Sequence, residues 1–257
     1  MENQENMAEV FYEELRERFA ALIEEKGFRA KDVTVAAKKL SPEEAIGKTK
    51  RKDYPILTGK DIMIEARVGN GIGQAFTDAP SLFSGTVEDI LELDLKEDSH
   101  NRAVFIATLN AVLNDLGLCS DTVHCRNNGP ELCSGHIREH LKKICAPETK
   151  IGMIGYQPSI LAALSGEFPL RIMDLNPENI GNVRENVLVE DGGNIALRDE
   201  MLKESDLLLV TGSTICNGTI VDFLPYKEKI LFYGTTLSGA AYLMHLKRLC
   251  YAAQLAE

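Results

Sequence analysis

The sequence predicts an α/β protein of two domains, an α+β one over residues 1–147 and a Rossmann-like one with a mainly parallel sheet over 148–257. Three observations carry this. Four short apolar runs, at 151–154, 170–173, 207–210 and 230–233, alternate with helical stretches, the pattern of strands and crossover helices in a parallel sheet. The change to that texture falls between Cys145 and Lys150, which sets the boundary. A chain of 257 residues, 44% apolar and 26% charged, has the length and composition to bury cores on both sides of it.

The elements follow in order. Met7, Phe11, Leu15, Phe19 and Leu22 recur at spacings of three and four, with Val10 and Ile23 widening the stripe, and predict an opening helix that ends near Gly27. Strands are predicted at 33–36 and 61–68. In the second, Ile62, Ile64, Ala66 and Val68 alternate with Met63, Glu65 and Arg67 until Gly69, Gly71 and Gly73 stop it, and a loop with Phe76, Thr77, Asp78 and Pro80 follows. Thr86 caps a short helix through Leu93, and Ser99 caps a longer one that closes at Gly117 and is apolar on most sides over 104–116. After the four parallel strands the chain is expected to end in a helix through Ala253.

Charge and termini narrow the partners. A net charge of −11 with pI near 5.1 repels polyanions, and the basic run Lys48, Lys50, Arg51, Lys52 is too short to reverse that, so nucleic acid is not expected. The acidic opening segment has no signal-peptide pattern, and no apolar run approaches the ~20 residues of a membrane span. A cytoplasmic protein is expected, its six cysteines reduced and a homo-oligomer compatible with it.

The segment from Ile151 to Pro158 reads as a strand, a glycine turn and a helix, where a Rossmann-type domain receives its ligand. Only Gly152 and Gly155 of a GxGxxG pattern are present, so dinucleotide binding stands beside a plain strand-to-helix turn. Asp174 ends the next strand 19 residues after Gly155, which suits either a ribose-binding carboxylate or a turn-forming Asp before Asn176-Pro177. The run Thr211-Gly-Ser-Thr-Ile-Cys-Asn-Gly-Thr219 follows a strand, and so many small polar residues favour a binding loop over capping alone. Cys119, His124, Cys125, Cys133, His136 and His140 lie within 22 residues; if 131–145 is helical, Cys133, His136 and His140 share a face. Their spacings match no standard zinc pattern, and packing as small hydrophobes is the ordinary use, so no metal site is assigned.

These residues resemble a known family. The run 150–156, the strand from Ser205-Asp206 to Thr211-Gly212, and Asn217-Gly218-Thr219 are similar to the signature of a heavy-metal-chelation family of bacteria and archaea. Gly73-Gln-Ala-Phe-Thr-Asp78 and Arg102-Ala103 leading to Asn110 extend the likeness into the first half. The resemblance implies an enolase amino-terminal-like domain followed by a Rossmann-like one, a site in the cleft between them, and a role in making or handling small chelators of pterin- or flavin-like type. The tail lacks the proline-rich stretch of many members.

The expected site therefore joins Gly73, Phe76, Thr77 and Asp78 to Gly155, Tyr156, Asp174, Thr211, Gly212, Ser213, Thr214, Asn217, Gly218 and Thr219. Backbone donors at Gly155 and at 212–214 would meet a small molecule, Asp174 would hold a hydroxyl or ring N–H, and Asp78 would move charge or a proton. The cofactor is left open. Two rivals stand beside this reading: a non-catalytic module for a metal chelate or nucleotide-like ligand, and an enzyme dependent on NAD or S-adenosylmethionine.

Overall fold

In a computed structural model of the chain, residues 2–36, 47, 48, 51, 54 and 62–255 are described. Lys50 and Lys52 of the basic run, and Asp61 at the start of a predicted strand, lie outside them. Helix α1 (Glu2–Lys26) leads into a four-stranded antiparallel sheet of β1 (Asp32–Ala36), β2 (Ile62–Val68), β3 (Gly71–Thr77) and β4 (Phe83–Thr86), ordered β3-β2-β1-β4. Helices α2 (Val87–Leu91) and α3 (Ser99–Asp115) follow. Thr86 caps α2 through a reciprocal bond with Asp89. For α3 the cap is Asp98, whose carboxylate accepts from His100 and Asn101, and not Ser99: the shorter hydroxyl begins the helix itself.

Strand β3 replaces the expected loop. Gly71 and Gly73 pair with Val68 and Ala66 of β2, and their bare Cα atoms face α3. A Cβ on Gly73 would overlap the Ala107 carbonyl and the Ala111 nitrogen, so these glycines serve a close approach of helix to sheet, not a break in the strand. The approach explains why α3 is apolar on most sides. Every residue from Arg102 to Leu113 is buried, with the first sheet on one flank and the second half of the chain on the other.

The second sheet is ordered β11-β10-β9-β5-β6-β8-β7, from β5 (Ile151–Ile154), β6 (Leu170–Asp174), β7 (Val183–Arg184), β8 (Val187–Asp191), β9 (Leu207–Thr211), β10 (Ile230–Tyr233) and β11 (Arg248–Leu249). All pairs are parallel except β7 with β8. Helices α4 (Gly129–Ile144) and α5 (Pro158–Leu164) cover one face, where Ile137, Leu141 and Leu161 pack with Met153 and Leu209. Helices α6 (Ile195–Glu204), α7 (Thr214–Asn217), α8 (Ile220–Phe223) and α9 (Ser238–Leu243) connect the remaining strands. The opposite face, with Ile154, Val210 and Phe232, shares one core with α3 and the first sheet. The expected terminal helix through Ala253 is instead the short α9, then β11, then a single 3-10 turn: Gly234 and Thr235 let the chain turn off β10, and the parallel edge beside β10 takes up residues 248–249.

Candidate functional site

Strand β5 connects through α5 to β6 on one side, whereas β9 continues to β10 on the other, so the chain's direction across the sheet reverses between β5 and β9. Helices leaving adjacent strands to opposite sides open a crevice at their carboxyl ends. Two communicating chambers fill it, of about 170 and about 330 Å³, and Phe76, Gly155, Asp174, Asn176, Thr211 and Ser213 border both. The smaller is aromatic, walled by Tyr54, His124, Tyr156 and Tyr233 in addition to Phe76. The larger is the more polar of the two, with Thr77, Asp78, Arg198, Asn217 and Thr219.

Most expected residues thus reach one crevice. Two do not: Gly73 is behind β3 against α3, and Gly218 closes α7 beside the Arg102 guanidinium, so neither is on a chamber wall. The backbone donors also differ from expectation. Gly155 N–H bonds the Met173 carbonyl and Gly212 N–H bonds that of Tyr233, both at 2.8 Å, because the sheet's hydrogen bonding continues past the strand ends. Tyr156 N–H is taken by Asp174 Oδ2 at 2.6 Å, Ile160 N–H by the Gln157 side chain at 2.7 Å, and Pro158 has none to give. Of the turn's donors, those of Gly155, Tyr156 and Ile160 are thus engaged within the protein.

Asp174 therefore organises the crevice. Its carboxylate accepts from Tyr156 and Asn176 backbone N–H groups, 2.6 Å each, and from Asn179 Nδ2 at 3.3 Å, fixing the loops after β5 and β6 together. Asp78 is exposed on the rim of the polar chamber. Asn217 Oδ1 accepts from the N–H and hydroxyl of Thr219 at 3.0 and 2.8 Å, closing its own turn. Arg198 is paired with Asp222 at 3.0 Å, and its buried Nε has no partner among the described residues.

The 211–219 loop is anchored from the first half of the chain. Tyr12 donates to the Ile215 carbonyl at 2.6 Å, and Arg102 Nε to that of Cys216 at 2.9 Å. Asn110, wholly buried in α3, donates to the Gln74 and Thr236 carbonyls and accepts from Gly239 N–H, tying β3 to the loop after β10. Thr236 Oγ1 in turn accepts from Phe76 N–H at 3.0 Å.

Sequence reasoning missed Tyr54, Tyr233 and Thr235. The Tyr233 hydroxyl donates to the Gly155 carbonyl at 2.8 Å, and burial raises its pKa far above the ordinary phenol value. Thr235 is 2% exposed, borders the aromatic chamber, and its hydroxyl has no partner among the described residues. The signal was present: these residues end or follow the 230–233 strand, as Thr211 and Ser213 follow 207–210. Tyr54, outside any strand or helix, had none; its hydroxyl lies 2.5 Å from Ser159 Oγ.

The comparisons with known proteins follow this architecture. Residues 142–245, from the end of α4 through strands β5 to β10 to just past α9, match the sequence model of the DUF364 family, described as "putative heavy-metal chelation". A crystal structure of a DUF364 protein of unknown function from Pyrococcus horikoshii is similar over 86% of this chain and 79% of that one, with a TM-score of 0.50 and 14% identity. Another, from Desulfitobacterium hafniense DCB-2, is similar over 72% of each chain, with a TM-score of 0.49 and 15% identity. No curated protein matches the chain.

Proposed function

We propose, from the match of residues 142–245 to the DUF364 family model, that the chain binds a small organic molecule in the β5/β9 crevice and acts in making or handling heavy-metal chelators. The observation that carries the reading is the reversal of strand order between β5 and β9, with a two-chambered cavity at that point. The aromatic chamber suits a flat, pterin- or flavin-like ring, which Phe76, Tyr156 and His124 would contact, and the polar chamber suits its substituents. Thr235 and Arg198 each bring an unsatisfied buried polar atom to these walls, which a rotated hydroxyl or a small shift of the guanidinium would let a ligand satisfy. The engaged donors at Gly155 and Tyr156 weigh against a pyrophosphate there, and so against NAD.

In this reading Asp174 positions the walls, while Asp78 is the group left to exchange a proton with a bound molecule. The division at 147/148 belongs to the same proposal, with α4 packing across it onto the second sheet. No helix among the described residues is long and apolar enough to cross a membrane.

Equilibrium dialysis against a metabolite extract, read by mass spectrometry, tests the proposal. Ser213 borders both chambers, and Ser213→Phe would fill their junction. A compound retained by the wild type and lost by a folded Ser213→Phe variant is expected; equal retention by both would move the site elsewhere.

A further inference from the structure

Apart from His124, the cysteines and histidines between 119 and 140 have no part in the reading above, and the structure sorts them. Cys119 faces the Ser238 carbonyl at 3.7 Å, and the His136 ring stacks on Tyr251 with centroids 5.2 Å apart. Cys125 and Cys133 instead reach the wall of the aromatic chamber, where Cys250 joins them from the far end of the chain. Cys125 precedes α4, and its Cβ packs against Gly129 at the start of that helix; Cys133 projects from the first turns of α4. The Cys125 and Cys133 thiols are direct neighbours on that wall, each the largest electrostatic influence on the other, and the Tyr251 backbone lies beside Cys133. All three cysteines are free thiols.

This arrangement selects among metals. Among the described residues no group of three or more His, Cys, Asp or Glu is gathered as a metal centre would need. Zinc requires four ligands in a tetrahedron, and hard cations require oxygen donors, so neither matches a pair of sulfurs on an apolar wall. Soft d10 ions, Cu(I) and Hg(II), are content with two thiolates in a line. We propose that Cys125 and Cys133 form a two-thiolate site for a soft, thiophilic ion of this class, open to the aromatic chamber. Each thiol gives up its proton to water as its sulfur–metal bond forms, so two protons leave per ion and no oxidation state changes. Because both sulfurs border the chamber that holds the proposed ligand, a bound ion would stand beside that molecule. The site does not depend on the small-molecule reading.

The test is a titration of the reduced, full-length protein with Cu(I) under anaerobic conditions, in competition with bicinchoninate. One Cu(I) per wild-type chain is expected at competitor levels that strip isolated thiols. Cys125→Ser and Cys133→Ser should each weaken binding by about tenfold or more. Cys145→Ser, at the other end of α4 and off the chamber wall, should leave it unchanged. Cys133→Ala replaces Cys133→Ser if circular dichroism shows the latter unfolded. Wild-type affinity in the folded Cys125 and Cys133 variants would overturn the site, as would Zn(II) held as tightly as Cu(I) by the same residues.

Discussion

His124 donates from Nδ1 to the Cys125 carbonyl at 2.6 Å and meets the Phe76 ring edge-on, with centroids 5.4 Å apart. Burial pushes its pKa down to about 4 from the ordinary 6.5, with the Cys125 carbonyl opposing part of that shift. Between those values the unfolded chain binds a proton that the folded one refuses. Stability is therefore full above pH 6.5 and falls as the pH drops toward 4, by on the order of 1–3 kcal/mol. Urea denaturation across that range should show this slope in the wild type and lose most of it in His124→Gln; parallel slopes would mean the ring is charged or solvated. At this scale the sequence displays which residue types stand at strand ends, and Thr211, Ser213 and Asp174 could be read from it. It does not display which neighbour claims each polar atom. The amides of Gly155 and Gly212 look like ligand donors until the sheet is seen to use them, and Asn217 until its oxygen is seen to close its own turn.

Among the elements, the strands of the second sheet were legible because each is a short apolar run between turn residues, while β3 was not. Its glycines signal a break if read alone, and only the helix lying across them shows that they mark a close approach. The short hairpin of β7 and β8, with Val183 and Leu188 exposed, has no apolar periodicity to betray it. Gly212 shows the same kind of contact as Gly73: a Cβ there would lie 2.9 Å from the backbone nitrogen and the Cβ of Leu237. Its role is to seat the start of α9 against the β9 turn, not to leave room for a ligand. Gly212→Val should thus cost about 1–3 kcal/mol of stability, lowering the melting temperature by several degrees. Gly73→Ala should cost at least as much, since the atoms it would meet are backbone. Melting temperatures at the wild-type value for both would show that the helices can shift to accommodate them.

Across the whole molecule, Tyr12, Arg102 and Asn110 from the first half hold the loops after β9 and β10, and buried α3 lies between the two sheets. The loops that shape the crevice are thus held by a scaffold drawn from both halves. The alternation of strands and helices foretold a parallel sheet, but strand order is a property of the folded chain, and the reversal between β5 and β9 could not be read from it. The same is true of Cys250, which joins Cys125 and Cys133 from more than a hundred residues away. That reversal is also where the account can be tested most directly. A crystal structure of the wild type carrying the compound it retains in dialysis should show that molecule between Gly155–Tyr156 and Thr211–Ser213, its flat part against Phe76 and Tyr156. Density for it on any other face of the protein, with the crevice filled only by water, would contradict the account.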